Sequence, residues 1–146
     1  MINNITVSET IVIKTSPSEL WDFTQDFTKR TSWDTGIRKV EVLQKRPFKR
    51  IRINSLGMWA ILTYKLCRKP FKTSLKLEET KSLFIVGGGG SWRYKDLGNQ
   101  TEWTQTNTLV LKNRLLYITL AKVFKGLLKY NTKKSMARVK NLIEKK

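Results

Sequence analysis

Residues 5–37, ITVSETIVIKTSPSELWDFTQDFTKRTSWDTGI, constrain the fold more than any other stretch of this chain. Ile5, Val7, Glu9, Ile11 and Ile13 alternate with Thr6, Ser8, Thr10, Val12 and Lys14. β-Branched residues at a period of two mark a strand over 5–14 with one buried side. Glu9 is discordant, an acid on the apolar side. Ser16-Pro17-Ser18-Glu19 then reads as a capping box. Ser16 is placed to accept from the Glu19 amide, and Glu19 to reach back to the Ser16 amide; Pro17 suits the first helical position, where no N–H is needed. Leu20, Phe23 and Phe27 follow at helical spacing beside Trp21, so a short helix buries an aromatic stripe. Thr31-Ser32 starts a further turn, and Trp33-Asp34-Thr35-Gly36 makes a corner from Asp and Gly turn chemistry. A strand feeding a short helical layer leaves an apolar sheet face to be covered by something later in the chain.

The later chain provides the sheet and its cover. Strands are expected at about 38–44, 49–55, 58–67, 73–79, 91–97 and 101–112. Turn signals fall at Arg46-Pro47, Leu56-Gly57, Lys69-Pro70, Lys81-Ser82 and Gly98-Asn99. The apolar run Leu83 to Val86 fits either a strand extension or a loop. From about 113 to 144 one long amphipathic helix is expected. Its stripe is Leu116, Leu120, Phe124, Leu127, Leu128, Met136, Val139 and Ile143, opposite Lys122, Lys125, Lys129 and Lys133. So long a helix is stable mainly through what its stripe packs on, and the concave face of the sheet is the available partner.

Length and composition fit a single domain, 1–146, with an ordinary globular share of apolar residues. A single cysteine, Cys67, forms no internal disulfide and points to a reducing compartment. No secretory signal opens the chain, and no apolar run approaches the length of a membrane span, so the expected location is cytoplasmic. The net charge is +18, and it is unevenly spread: residues 1–37 carry −2, 38–72 carry +10, 73–111 are neutral, and 112–146 carry +10. Two such basic segments either solvate the outside or form one patch for an anionic membrane or partner surface. Trp59, Trp92, Trp103, Tyr64 and Tyr94 invite a base-stacking reading, but no nucleic-acid motif accompanies them, and interior aromatics are no stacking platform.

The element order, strand, two short helices, six strands and a long helix, resembles the START-like superfamily (SRPBCC) of helix-grip proteins, in the branch described as polyketide cyclase/dehydrase and lipid transport. Ile11-Val12-Ile13-Lys14-Thr15-Ser16-Pro17 running into Leu20-Trp21 looks like that family's strand-to-helix entry. Trp33-Asp34 matches its Trp-Asp/Asn-Pro-Gly corner, with Thr35 where proline is common. TEWTQT, 101–106, resembles the strand before the terminal helix. The resemblance spans the whole chain. It implies an α+β helix-grip fold, a curved antiparallel sheet of about seven strands wrapped round a long C-terminal helix, with an elongated cavity between them.

Combined with period two along each strand, that orientation points Val7, Glu9, Ile11, Val42, Ile53, Leu62, Tyr64, Leu77, Trp92, Tyr94, Trp103, Gln105 and Asn107 into the cavity, joined by Leu120 and Phe124 from the helix. Val40, Ile51, Leu75 and Leu109 belong to the same inward set. A β-bulge inverts any strand it interrupts.

Chemistry is narrowed by what is missing. The chain has no histidine and one cysteine, which removes Ser-His-Asp and Cys-His triads and His- or thiolate-rich zinc sites. No metal or other cofactor is implied. Acid–base work is left to Glu9, the one candidate catalytic residue, with Tyr64 and Tyr94 as donors and Gln105 and Asn107 orienting a carbonyl. The alternative for Glu9 is an ion pair with a Lys or Arg. Gly87-Gly88-Gly89-Gly90 lacks the Gly-Lys-Ser/Thr ending of a phosphate loop and is expected to be a flexible connector near the cavity mouth. Three functional readings follow: a non-catalytic binder of a hydrophobic lipid- or polyketide-like molecule, a cyclase or dehydratase acting on such a molecule, and a basic module docking on an anionic surface.

Overall fold

The computed structural model describes residues 3–45, 49–55 and 58–145. Strand β1 (Asn4–Ile13) leads into helix α1 (Pro17–Thr24) and one turn, α2 (Arg30–Trp33). Six strands follow: β2 (Lys39–Gln44), β3 (Arg50–Ser55), β4 (Met58–Arg68), β5 (Lys72–Lys81), β6 (Ile85–Asp96) and β7 (Thr101–Leu111). The long helix α3 (Arg114–Glu144) closes the chain. The strands form one curved antiparallel sheet of seven, ordered β1-β7-β6-β5-β4-β3-β2. This is the helix-grip arrangement, with α1, α2 and α3 on the concave side. The turn signals at Arg46-Pro47 and Leu56-Gly57 lie outside the described residues.

Local chemistry accounts for the joints. Ser16 Oγ accepts from the Glu19 amide at 3.2 Å, as a capping box requires, but Glu19 Oε2 takes the Thr15 hydroxyl at 2.7 Å. Asn113 caps α3 by accepting from the Leu116 amide at 2.9 Å. At its other end Glu144 Oε2 accepts from the Lys14 amide at 3.0 Å, and Lys140 Nζ donates to the Val12 carbonyl at 2.8 Å. The last turns of α3 are thereby clamped to the end of β1. Thr35 N donates to Ser135 Oγ at 3.0 Å, tying the Trp corner to the same helix. A proline at this position has no N–H to give, so the Thr found here carries that tie.

Two hydrophobic clusters fill the concave face. The larger joins Trp33, Trp92, Tyr94 and Trp103 to Ile13, Leu20, Met136 and Val139. Trp103 lies 5.9 Å from Trp33 and 5.5 Å from Trp92 between ring centroids, both edge-on, the geometry that aromatic quadrupoles favour. The smaller cluster, Ile5, Ile85 and Leu111 with Leu116 and Phe124, sits under the first turns of α3.

The tetraglycine stretch departs from expectation. It is no connector: Gly87–Gly90 run inside β6, paired with residues 107–110 of β7. Bare backbone is required there. A Cβ on Gly89 would stand 2.6 Å from the Leu75 carbonyl oxygen, and Gly88 has a φ of 153°, which L side chains rarely adopt. The strand also begins earlier than expected and takes in Ile85 and Val86 of the apolar run.

Candidate functional site

Between the two clusters lies a cavity of about 290 Å³. Its floor is the concave face of β3 to β7, and its roof is α2, the corner that follows it and the middle of α3. That volume is at the small end of the range for drug-sized ligands. The wall is mainly apolar, from Ile53, Met58, Ala60, Leu62, Leu75 and Leu77, and one side is bare because Gly88 and Gly90 project no side chain into it.

Polar groups gather at one part of this wall. Gln105 is only 4% exposed. Its Oε1 accepts from Asn107 Nδ2 at 3.2 Å, and Asn107 Nδ2 also reaches Thr132 Oγ1 at 3.3 Å. The Gln105 Nε2 amide has no acceptor among the described residues. A buried amide donor left unpaired costs about 1–3 kcal/mol, so this corner is poised to bind a group that accepts.

Arg30 is the second polar feature, and it was not among the expected site residues. It is 7% exposed, on the cavity wall, with its guanidinium carbon 5.0 Å from the Trp33 ring centroid and 4.8 Å from that of Trp92. Arg30 Nε donates to Asp34 Oδ2 at 2.8 Å, while Asp34 Oδ1 accepts from the Gly36 amide at 3.2 Å. The Trp-Asp corner therefore holds a buried ion pair in place. The usable signal was a basic residue four positions before an acid, (i, i+4) on one short helix.

Behind Arg30 runs a directed hydrogen-bond chain. Tyr64 Oη donates to Gln25 Oε1 at 3.2 Å, and Gln25 Nε2 donates to Tyr94 Oη at 3.1 Å. Thr24 spends its proton on the Leu20 carbonyl, so Tyr94 Oη donates to Thr24 Oγ1 at 2.7 Å. Burial pushes the Tyr64 phenol up to about 12, and burial raises Tyr94 as well. Both rings are neutral structural donors across the neutral pH range.

The expected cavity residues divide. Ile53, Leu62, Leu77, Trp92, Gln105 and Asn107 line the cavity. Tyr64, Tyr94 and Trp103 are buried on the same face but packed into the aromatic layer beside it. Val7 and Ile11 pack under α3 on the β1 flank, outside the lining. Glu9 is paired in register with Gln105, half-buried and outside the lining; its Oε1 lies 4.0 Å from Lys129 Nζ. Val42 requires a correction. It shares a face with Ile51 across the β2–β3 ladder but stands on the edge strand, next to a bulge, and is 41% exposed. Leu120 and Phe124 also lie off the lining, because α3 reaches the cavity two turns later, through Leu128, Asn131, Thr132 and Ser135. Phe124 instead meets Phe84 at 5.7 Å.

A bulge accounts for one further lining residue. Ile61 pairs with Glu79 but Leu62 with Leu77, so Glu78 is the extra residue of β5. Leu77 and Thr80 consequently both face the cavity.

Residues 4–144 match the sequence profile of the family described as polyketide cyclase / dehydrase and lipid transport. Among curated proteins, none matches this sequence. Solved structures do. The Zhui aromatase/cyclase from Streptomyces sp. R1128 superposes with a TM-score of 0.83 at 14% identity, over 97% of this chain and 94% of that one. A START-superfamily protein from Mycobacterium smegmatis gives 0.75 at 17% identity, over 94% and 98% of the two chains. The di-domain ARO/CYC StfQ from the steffimycin biosynthetic pathway gives 0.82 at 10% identity, over 97% of this chain and 51% of that one. At these identities the likeness is one of fold.

Proposed function

Since the chain belongs to the polyketide cyclase/dehydrase and lipid transport family, we propose that it binds a hydrophobic small molecule, lipid- or polyketide-like, in the cavity between the sheet and α3. The single observation that carries this reading is the unpaired Gln105 Nε2, buried beside a mainly apolar cavity. An apolar ligand with one carbonyl or hydroxyl oxygen satisfies that donor while its body replaces empty space against leucine, methionine and bare glycine backbone. Asn107 and Thr132 hold the Gln105 amide in orientation. A thermal-shift screen against fatty acids, sterols and aromatic polyketides tests the reading. It expects stabilisation by at least one of these classes, and stabilisation by none of them contradicts it.

A second reading, cyclase- or dehydratase-type catalysis on the same ligand, is favoured by one observation: Asp34 and Arg30 place a carboxylate and a guanidinium on the cavity wall. Glu9, which faces Lys129 and not the cavity, is less well placed for proton transfer than Asp34. Turnover of a ligand found in the screen, lost in Asp34→Asn with binding retained, separates this reading from simple binding.

A further inference from the structure

Helix α3 carries two apolar stripes, and the fold uses one of them. Leu128, Met136 and Val139 belong to the inner stripe, which covers the cavity and the larger cluster. A second stripe runs along the outside at Leu120, Val123, Leu127 and Tyr130. Val123 is 56% exposed, Leu127 54% and Tyr130 60%, Leu120 is half-buried, and none of the four packs in either cluster. Leu127 was expected on the inner stripe and faces out instead. The four form one continuous patch, because each stands three or four positions from the next on a single helix, where side chains are neighbours. Lys134 and Ala137, both exposed, extend the same line, and Lys134 Nζ lies 5.6 Å from the centroid of the Tyr130 ring. Contiguous apolar side chains at a surface mark an interaction site, whereas single ones do not.

Spacing and charge select the partner. Alternating steps of three and four residues make a narrow stripe, the seam along which one helix packs on another. A helix that lies in a bilayer needs a broad apolar face, but the broad face of α3 is taken by the sheet, and Lys134 interrupts the outer stripe. No helix among the described residues is long and apolar enough to cross a membrane. Residues 112–143 contain nine Lys or Arg and no acidic residue, and Lys122, Lys129 and Lys133 follow one side of the seam. Among the described residues one acid reaches these three lysines: Glu9 Oε1 lies 4.0 Å from Lys129 Nζ. A second copy would set like charges along the seam and repel, and nucleic acid would leave Val123, Leu127 and Tyr130 in water. An acidic helix satisfies both the apolar stripe and its charged border.

We propose that the outer stripe of α3 docks an amphipathic helix of a partner protein whose own apolar stripe is bordered by Asp and Glu. Leu120, Val123, Leu127 and Tyr130 interleave with its apolar side chains, while Lys122, Lys129 and Lys133 meet its acids. Lys134, a charge at a seam position, fixes the register. From Leu120 to Ala137 the seam is about 26 Å long, so the partner helix has about 18 residues or more. The proposal goes beyond ligand binding and stands without it, because the cavity is lined from the inner face of α3.

The test is fluorescence anisotropy with two labelled synthetic three-heptad peptides. One has Leu at the seam positions and Glu at the flanking ones, which keeps it from pairing with itself; the other has Lys for Glu. The wild type is expected to bind the acidic peptide and not the basic one, more weakly as salt rises. Val123→Ser/Leu127→Ser/Tyr130→Ser, which alters exposed positions and no charge, should lower that affinity about tenfold or more. Lys122→Glu/Lys133→Glu should shift preference toward the basic peptide. No binding of the acidic peptide at low salt overturns the proposal, as does equal binding of the two peptides by the wild type or undiminished binding by the serine variant. Sedimentation with phosphatidylglycerol vesicles that the serine variant loses assigns the stripe to a bilayer and overturns it too. So does a wild-type dimer that the serine variant dissociates, because a second copy then covers the seam.

Discussion

Gly90 and Asn107 face each other across the β6–β7 ladder, and a Cβ on Gly90 would stand 2.9 Å from the Asn107 amide oxygen. The missing side chain keeps both the cavity and the Asn107–Gln105–Thr132 arrangement open. Gly89, one residue earlier, points the other way and meets backbone.

The two glycines are therefore expected to respond differently to alanine. Gly90→Ala needs only a side-chain amide to swing, and its melting temperature should stay near wild type. Gly89→Ala drives a methyl toward the Leu75 carbonyl 2.6 Å away, which a strand cannot yield without breaking its ladder. It should cost about 1–3 kcal/mol. Urea unfolding of the pair checks this, and equal stabilities would show that the wall is not held as described.

The Arg30–Asp34 pair is buried enough that neither charge is dispensable. Asp34→Asn leaves the guanidinium between Trp33 and Trp92 with no counter-charge and should destabilise by about 3 kcal/mol. Arg30→Met/Asp34→Leu, which removes both charges, should recover most of that loss. Chemical denaturation of the single and double variants measures the difference.

The buried tyrosines set the alkaline limit. Burial pushes the Tyr64 phenol from its ordinary 10.0 up to about 12. Between those values the unfolded chain has released a proton that the native state still holds, so stability is full below pH 10 and falls as pH rises through 12. Tyr64→Phe should flatten this limb only in part, since Tyr94 is raised as well. Denaturant titrations from neutral to alkaline pH follow the slope directly.

Gln105→Leu separates a ligand-reading amide from a structural one. It removes the unpaired Nε2 but also the Asn107 contact, so stability should stay within about 1 kcal/mol of wild type. Affinity for an oxygen-bearing ligand should fall about tenfold, the worth of one well-formed hydrogen bond. A large stability loss with unchanged affinity would mark Gln105 as scaffold.

The elements of this fold were legible because each announces itself locally. Alternation in 5–13, the Ser16 cap and the α3 stripe all rest on interactions within a few residues. The cavity was legible only where alternation ran undisturbed. Gln105, Asn107 and Trp92 follow period two and reach it, whereas the extra residue Glu78 turns Thr80 inward with no sequence signature. Val42 has the right parity on an edge strand, and parity carries no information about what covers a strand. Leu120 and Phe124 lie on the apolar stripe of α3, but a stripe does not reveal which of its turns overhangs the cavity. Arg30 was missed because a charged residue in a short polar turn ordinarily faces solvent. Its burial depends on Trp33, Trp92 and Asp34 meeting from two distant segments. The tetraglycine read as a loop because glycine is a poor strand former in isolation, and the close approach of Leu75 that demands it is a long-range fact.

If the cavity is the binding site, filling it with a side chain must abolish binding. The measurement that tests it most directly is calorimetric titration, over a range of temperatures, of the best ligand from the screen into wild type and Gly90→Leu. One site is expected, with a negative heat-capacity change, the mark of apolar burial, and loss of that binding when a leucine side chain occupies the cavity. Undiminished binding to a folded Gly90→Leu variant would place the ligand elsewhere and contradict it.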